Sequence, residues 1–315
     1  MRRGCPTVAV IVATTSAAIG ALSAHAVAEP KGTIVYSRNG VLHQRGAAND
    51  HGARELGPAF ADGAALDALL AAPRGAVLIA GSRGRYRQAA LPSAGAALRS
   101  VPLLCWSMPR LSADGRTVVC GSGSGATLVA ETAARRRWLV RGDGARAGWL
   151  PAARAAVVIT GDAIVAQAST GSARMLAPHA PTGTLSVSPT GDRAVGIYAA
   201  GSGDDEPALH TFLLDGNAAR RKLMSHAEPI AWSANGAWLL VQRGRDACLI
   251  RTVGGQYKCW DRYQAIAIAP AGDYALLVRP SSDGRFDLFR AELAGAGAAR
   301  PVQLETDIDG PAAWF

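Results

Sequence analysis

Trp232-Ser233-Ala234-Asn235-Gly236, followed directly by Trp238-Leu239-Leu240-Val241, is the stretch from which the fold can be read. Asn-Gly suits a tight turn, because the second residue needs positive φ and glycine adopts it without strain. The apolar run behind it is short and bounded by glycine, which reads as a buried strand rather than a helix. The same unit recurs as Leu111-Ser112-Ala113-Asp114-Gly115, Val187-Ser188-Pro189-Thr190-Gly191 and Ile268-Ala269-Pro270-Ala271-Gly272, with Ala71-Ala72-Pro73-Arg74-Gly75 as a looser copy. Trp149-Leu150-Pro151-Ala152-Ala153 is degenerate, with Ala153 read in the place of glycine.

A second marker recurs independently: a small-residue turn, a basic residue, then an apolar strand. Its cations are Arg54, Arg99, Arg137, Arg174, Arg221, Lys258 and Arg300, a mean of 41 residues apart. Two unrelated markers of one period indicate a repeated unit long enough for four short strands, which is one propeller blade. The chain is therefore expected to be all-β, a β-propeller of seven four-stranded blades, with six or eight as the alternatives. Gly32-Thr33-Ile34-Val35-Tyr36 reads as the second strand of a unit, and Pro311-Ala312-Ala313-Trp314-Phe315 as the first strand of one. The C-terminal strand should then pair into the N-terminal blade and close the ring.

The turn pattern, best seen at Ser112-Ala113-Asp114-Gly115-Arg116 and Ser188-Pro189-Thr190-Gly191-Asp192-Arg193, resembles the WD40-like (PD40-type) repeat of TolB-like β-propellers. The resemblance covers residues 31–315 and implies a propeller domain. It departs from TolB in lacking the preceding α/β domain and in having seven units where six are usual there. TolB's lipoprotein partner is accordingly not carried over.

The first residues read as an address. Arg2 and Arg3 precede an uncharged run from Val8 to Leu22, and small residues offer cleavage after Ala26 or Ala28. Residues 1–28 are expected to be a cleaved secretion signal and 29–315 one β-propeller domain. No later run is long enough for a membrane helix. The expected destination is the periplasm or the extracellular space. Of 315 residues 49% are hydrophobic and 18% charged, which supports a packed core and excludes wholesale disorder. The formal charge of +9 favours an acidic partner, and export argues against nucleic acid.

Four cysteines follow the signal: Cys105, Cys120, Cys248 and Cys259. An even number in an exported chain favours disulfides. The pairs are expected to be Cys105–Cys120 and Cys248–Cys259, each within a blade. In a hairpin turning at Val253-Gly254, positions 248 and 259 lie directly opposite.

No catalytic set emerges, and neither catalytic, cofactor-binding nor metal residues are assigned. Neither serine of Gly121-Ser122-Gly123-Ser124-Gly125 has glycine at both −2 and +2, as a nucleophile elbow requires. Calcium is the one cofactor weighed, at Asp204-Asp205-Glu206 or Asp307-Ile308-Asp309-Gly310, and neither completes an EF-hand loop. Trp106, Trp149, Trp232, Trp260 and Trp314 are expected to pack between blades. The seven repeated cations would form a basic rim on one face, either guarding the exposed outer strands against edge-to-edge pairing or docking an acidic partner or lipid head groups. The expected function is an exported, non-catalytic, monomeric scaffold that binds a protein or envelope component. The alternative is a propeller enzyme acting on a carbohydrate or lactone at the central channel.

Overall fold

The computed structural model describes residues 30–48, 52–72, 77–90, 100–131, 136–199, 206–217, 219–293 and 299–315. The signal segment with Ala26 and Ala28, the rim position Arg99, and Asp204 and Asp205 lie outside these residues.

All regular structure described is β. Blade 1 holds β1 (Thr33–Arg38), β2 (Val41–Gly46) and β3 (Arg54–Pro58). Blade 2 holds β4 (Ala68–Ala71), β5 (Val77–Ser82), β6 (Arg85–Ala90) and β7 (Ser100–Leu103). Blade 3 is β8 (Arg110–Leu111), β9 (Thr117–Gly121), β10 (Thr127–Glu131) and β11 (Arg136–Val140). Blade 4 is β12 (Asp143–Leu150), β13 (Ala155–Thr160), β14 (Ala163–Ala168) and β15 (Ala173–Ala177). Blade 5 comprises β16 (Leu185–Val187), β17 (Arg193–Tyr198), β18 (Ala208–Leu213) and β19 (Arg220–Ser225). Blade 6 comprises β20 (Ala227–Trp232), β21 (Trp238–Arg243), β22 (Asp246–Arg251) and β23 (Tyr257–Trp260). Blade 7 is β24 (Gln264–Ile268), β25 (Tyr274–Pro280), β26 (Phe286–Glu292) and β27 (Val302–Ile308), and β28 (Ala312–Trp314) completes blade 1.

Each blade is a four-stranded antiparallel meander, and β28 is the innermost strand of blade 1. Its register is Ile34 opposite Trp314, Val35 opposite Ala313 and Tyr36 opposite Ala312. Thr33 and Phe315 exchange backbone hydrogen bonds at 3.0 and 2.8 Å. Gly32 is required there, because a Cβ on it would stand 2.2 Å from the Phe315 carbonyl oxygen.

The turns explain the repeat. Buried Ser112 Oγ donates to Asp114 Oδ1 at 2.6 Å and accepts the Thr117 N–H at 2.9 Å. Ser233 Oγ does the same with Asn235 Oδ1 at 2.7 Å and the Trp238 N–H at 2.9 Å. The serine thus closes the turn from the inner strand to the next, and Gly115 and Gly236 sit at φ +70° and +68°. In blade 4 the sequence alignment needs correction by one position. The Arg154 N–H bonds the Pro151 carbonyl, and Arg154 itself adopts φ +47°, so Arg154 rather than Ala153 stands where glycine does elsewhere.

The core lies between blades. Alternate residues of a strand point to opposite faces, and in a ring both faces of a blade meet a neighbour. Strands such as β9 and β13 are therefore apolar almost throughout. Buried clusters occupy the junctions in turn. Val195 and Leu209 meet Trp232 and Val241 between blades 5 and 6. Ile34 and Trp314 meet Tyr274 and Leu276 at the closing junction.

Both expected disulfides are present. Cys248 and Cys259 are directly opposite across β22 and β23, as the hairpin geometry requires. Cys105 pairs with Cys120, but it lies outside its blade's ladder, in the connection from β7 to β8. Pro109 lacks an N–H and leaves β8 only two residues long, so Cys105 approaches β9 as a connecting segment.

Candidate functional site

The inner strands of the seven blades surround a central channel. It is lined by residues such as Leu70, Gly148, Val187, Ile230, Ile266 and Ala313. Among the described residues lining it there is no carboxylate and no histidine, and Arg110 is the one charged side chain.

The scattered candidates have separate partners. Histidine His179 Nδ1 lies 3.3 Å from Asp162, and His226 Nε2 lies 2.8 Å from Glu206. His43 stacks on Tyr36, and His210 meets the edge of Tyr198. Among the described residues, no three His, Cys, Asp or Glu side chains converge in a way that could hold a metal. Asp309, weighed for calcium, accepts Ser37 Oγ at 2.6 Å, the Gly40 N–H at 2.9 Å and the Asn39 N–H at 3.0 Å. Burial pushes its carboxyl up, but these donors and Arg285 outweigh burial and hold it below its ordinary value. A cage of donors is the opposite of the oxygen-ligand set calcium takes.

The repeated cations lie at corresponding places, at the first or second residue of the outermost strand or just before it. Arg54 opens β3, while Arg137, Arg174, Arg221 and Lys258 are second in β11, β15, β19 and β23, and Arg300 precedes β27. Their surroundings differ. Arg137, Arg174 and Arg300 are exposed. Arg221 Nη2 donates to the Thr252 carbonyl in blade 6, and Lys258 Nζ donates to the Leu293 carbonyl in blade 7 at 2.8 Å. Burial pushes the Lys258 amine below its ordinary value. These two cations join each blade to the next, a role that spacing alone does not reveal.

The surface that sequence reasoning missed lies at the outer edge of blade 2 and its connection to blade 3. In Val101-Pro102-Leu103-Leu104-Cys105-Trp106-Ser107-Met108, Cys105 turns inward and is bonded to Cys120. Trp106 is 79% exposed, Leu104 64%, Val101 58% and Met108 42%. This corrects the expectation that Trp106 packs between blades. The other four tryptophans do line the channel or the junctions, with Trp232, Trp260 and Trp314 buried.

Trp106 is nonetheless held. Its backbone N–H donates to the Gly121 carbonyl at 2.9 Å, and its indole lies on Gly123, where a Cβ would come within 2.8 Å of the ring. The Gly121–Gly125 segment is the β9–β10 turn, so it is a strand-turn-strand rest for Trp106, not a nucleophile elbow. Leu104 and Trp106 edge a cleft of about 570 Å³ whose other wall carries Arg83, Arg85 and Arg87. Arg85 pairs with Asp62 at 3.1 Å and lies over the Phe60 ring, and the Arg83 N–H donates to Asp67 at 2.7 Å.

No protein-family model and no curated protein matches the chain. Among solved structures it is similar to a chain of the crystal structure of a nidogen/laminin complex, at 14% identity and TM-score 0.49, covering 90% of this chain and 98% of that one. It is also similar to TolB from Acinetobacter baumannii, at 11% identity and TM-score 0.49, covering 90% of this chain and 66% of TolB. The fold itself rests on the strand order given above. That order is a seven-bladed β-propeller. Neither likeness brings residue roles to this chain.

Proposed function

We propose that the protein is an exported, non-catalytic binding scaffold that docks an acidic protein partner at the Trp106 surface. The observation that carries this is the exposed apolar group of Val101, Leu104, Trp106 and Met108 beside three arginines. Soluble proteins seldom leave such a cluster uncovered, and Trp and Arg are the residues that most often anchor interfaces. The disulfide and the Gly123 rest fix the indole before binding, so little freedom is lost on docking. The formal charge of +9 favours a partner that presents carboxylates. The exposed cations Arg137, Arg174 and Arg300 extend positive charge around the outer strands.

Export is supported by the signal-like segment 1–28 and by two disulfides, which persist in oxidising compartments. Among the described residues, no helix is long and apolar enough to cross a membrane. Intact mass of protein from its own cells should show loss of residues 1–26 or 1–28; a full-length product overturns export. Cross-linking in those cells, followed by affinity capture, should recover a partner with the native protein and lose it with Trp106→Ala and Arg83→Glu. Recovery of the same partner by both variants overturns the docking surface.

A further inference from the structure

Arg45 is buried and Arg110 partly buried, and the two are treated differently. Arg45, 6% exposed, is paired with Glu305 at 2.7 Å and also donates to the Leu304 carbonyl. Arg110 opens β8, opposite Val119, and lines the central channel, where its neighbours are mostly apolar with Ser112, Ser186 and Ser188 among them. Among the described residues, no carboxylate or carbonyl accepts from it. Burial pushes its guanidinium below the ordinary arginine value, and the only neighbour acting the other way is Tyr86. Tyr86 is itself pushed up by burial and by Asp67, so it keeps its proton and supplies no counter-charge.

A partly buried cation without an acidic partner is unfavourable, and folded chains tend to pair such charges. Arg110 has no acidic partner among the described residues and borders open space. From this geometry we infer that the channel is a binding site for a small carboxylic acid with an apolar body, its carboxylate on Arg110. Guanidinium presents parallel N–H donors that match the two oxygens of a carboxylate. The other inner strands turn Leu70, Trp149, Ile230 and Ile266 toward the same space, which suits an aliphatic or aromatic body. The volume, about 190 Å³, holds one small molecule and lies below the size of drug-like pockets. One cation in an apolar lining compensates a monoanion and undercompensates a phosphate dianion. The site is separate from the Trp106 surface and stands without it.

Benzoate and octanoate are the probes, with benzamide, octanamide and inorganic phosphate as controls. Calorimetry and thermal melting should show at least one of the two acids binding the native protein at one site. Its neutral amide should bind at least about tenfold more weakly. Phosphate should have no effect. Arg110→Met should abolish binding of the acid, yet melt unliganded at or above the native temperature, because it removes an unpaired charge. The inference is overturned by any of four results: binding of neither acid up to about 10 mM, equal binding of acid and amide, phosphate competing with the acid, or retention of the acid by Arg110→Met. A large loss of stability in unliganded Arg110→Met also overturns it, since the arginine would then have an internal partner.

Discussion

Ser37 Oγ donates to Asp309 Oδ2 at 2.6 Å, linking residues 272 positions apart at the junction where the ring closes. The same carboxylate takes the N–H groups of Asn39 and Gly40 in the β1–β2 turn. It therefore fixes blade 1 to the segment between β27 and β28.

This link predicts a pH dependence. The Asp309 carboxyl is held below its ordinary value in the fold, so the folded state favours the charged form more than the unfolded chain does. Its contribution is full above the unfolded carboxylate value of about 4 and is lost as pH falls through the lower folded value. Asp309→Asn should cost about 1–3 kcal/mol at neutral pH. Urea unfolding of both proteins should show that gap narrowing toward acid. A constant gap would mean the charge is irrelevant.

Closure by β28 predicts that removal of residues 311–315 is severe. Trp314 is buried, and its indole N–H donates to the Lys31 carbonyl at 3.1 Å. Losing a buried tryptophan typically costs about 3–5 kcal/mol, a large share of a domain's stability. The truncated protein should aggregate or melt far lower by calorimetry, although terminal residues are ordinarily dispensable. An unchanged melting temperature would show that β28 does not hold the ring.

The Cys248–Cys259 bridge closes a separation of 11 residues and Cys105–Cys120 one of 15. Loop-closure entropy gives each about 3 kcal/mol as an upper bound. Replacing either pair by alanines should lower the urea midpoint by a corresponding amount. The Cys105–Cys120 variant should also loosen Trp106, read as a red-shifted or more quenchable tryptophan fluorescence.

Ser112 and Ser233 close their turns with both a donated and an accepted bond. Ser233→Ala leaves the Trp238 N–H without its side-chain acceptor and should cost about 1–2 kcal/mol. Gly236→Ala forces an unfavourable φ and places its Cβ 3.0 Å from Thr190 Oγ1, for about 1–2 kcal/mol. Equilibrium unfolding of the two variants checks both, with Ala234→Ser as a neighbouring control that should change little.

The basic positions should separate into two classes. Arg221→Ala and Lys258→Met remove donors to the next blade and should each cost about 1 kcal/mol or more. Arg137→Ala and Arg174→Ala, exposed and outside the junctions, should stay within about 0.5 kcal/mol of the native protein. Thermal melts of the four variants make the comparison. If all four are neutral, the inter-blade donors contribute nothing measurable.

Local and periodic features could be read from the residues alone. Ser-x-Asp/Asn-Gly dictates its own turn through side-chain bonds and positive φ, and short apolar runs behind each turn dictate strands. Repetition then set seven blades, the opposition of Cys248 and Cys259, and the pairing of Ala312–Trp314 with Ile34–Tyr36. What spacing could not encode is which residues of different blades meet. That decided the donation of Arg221 and Lys258 to neighbouring carbonyls, the placing of Cys105 in a connection, the exposure of Trp106 and the position of Arg110 in the channel lining. A side chain's partner, burial and charge environment are sums over atoms brought in from distant parts of the chain, and only the closed ring fixes those distances.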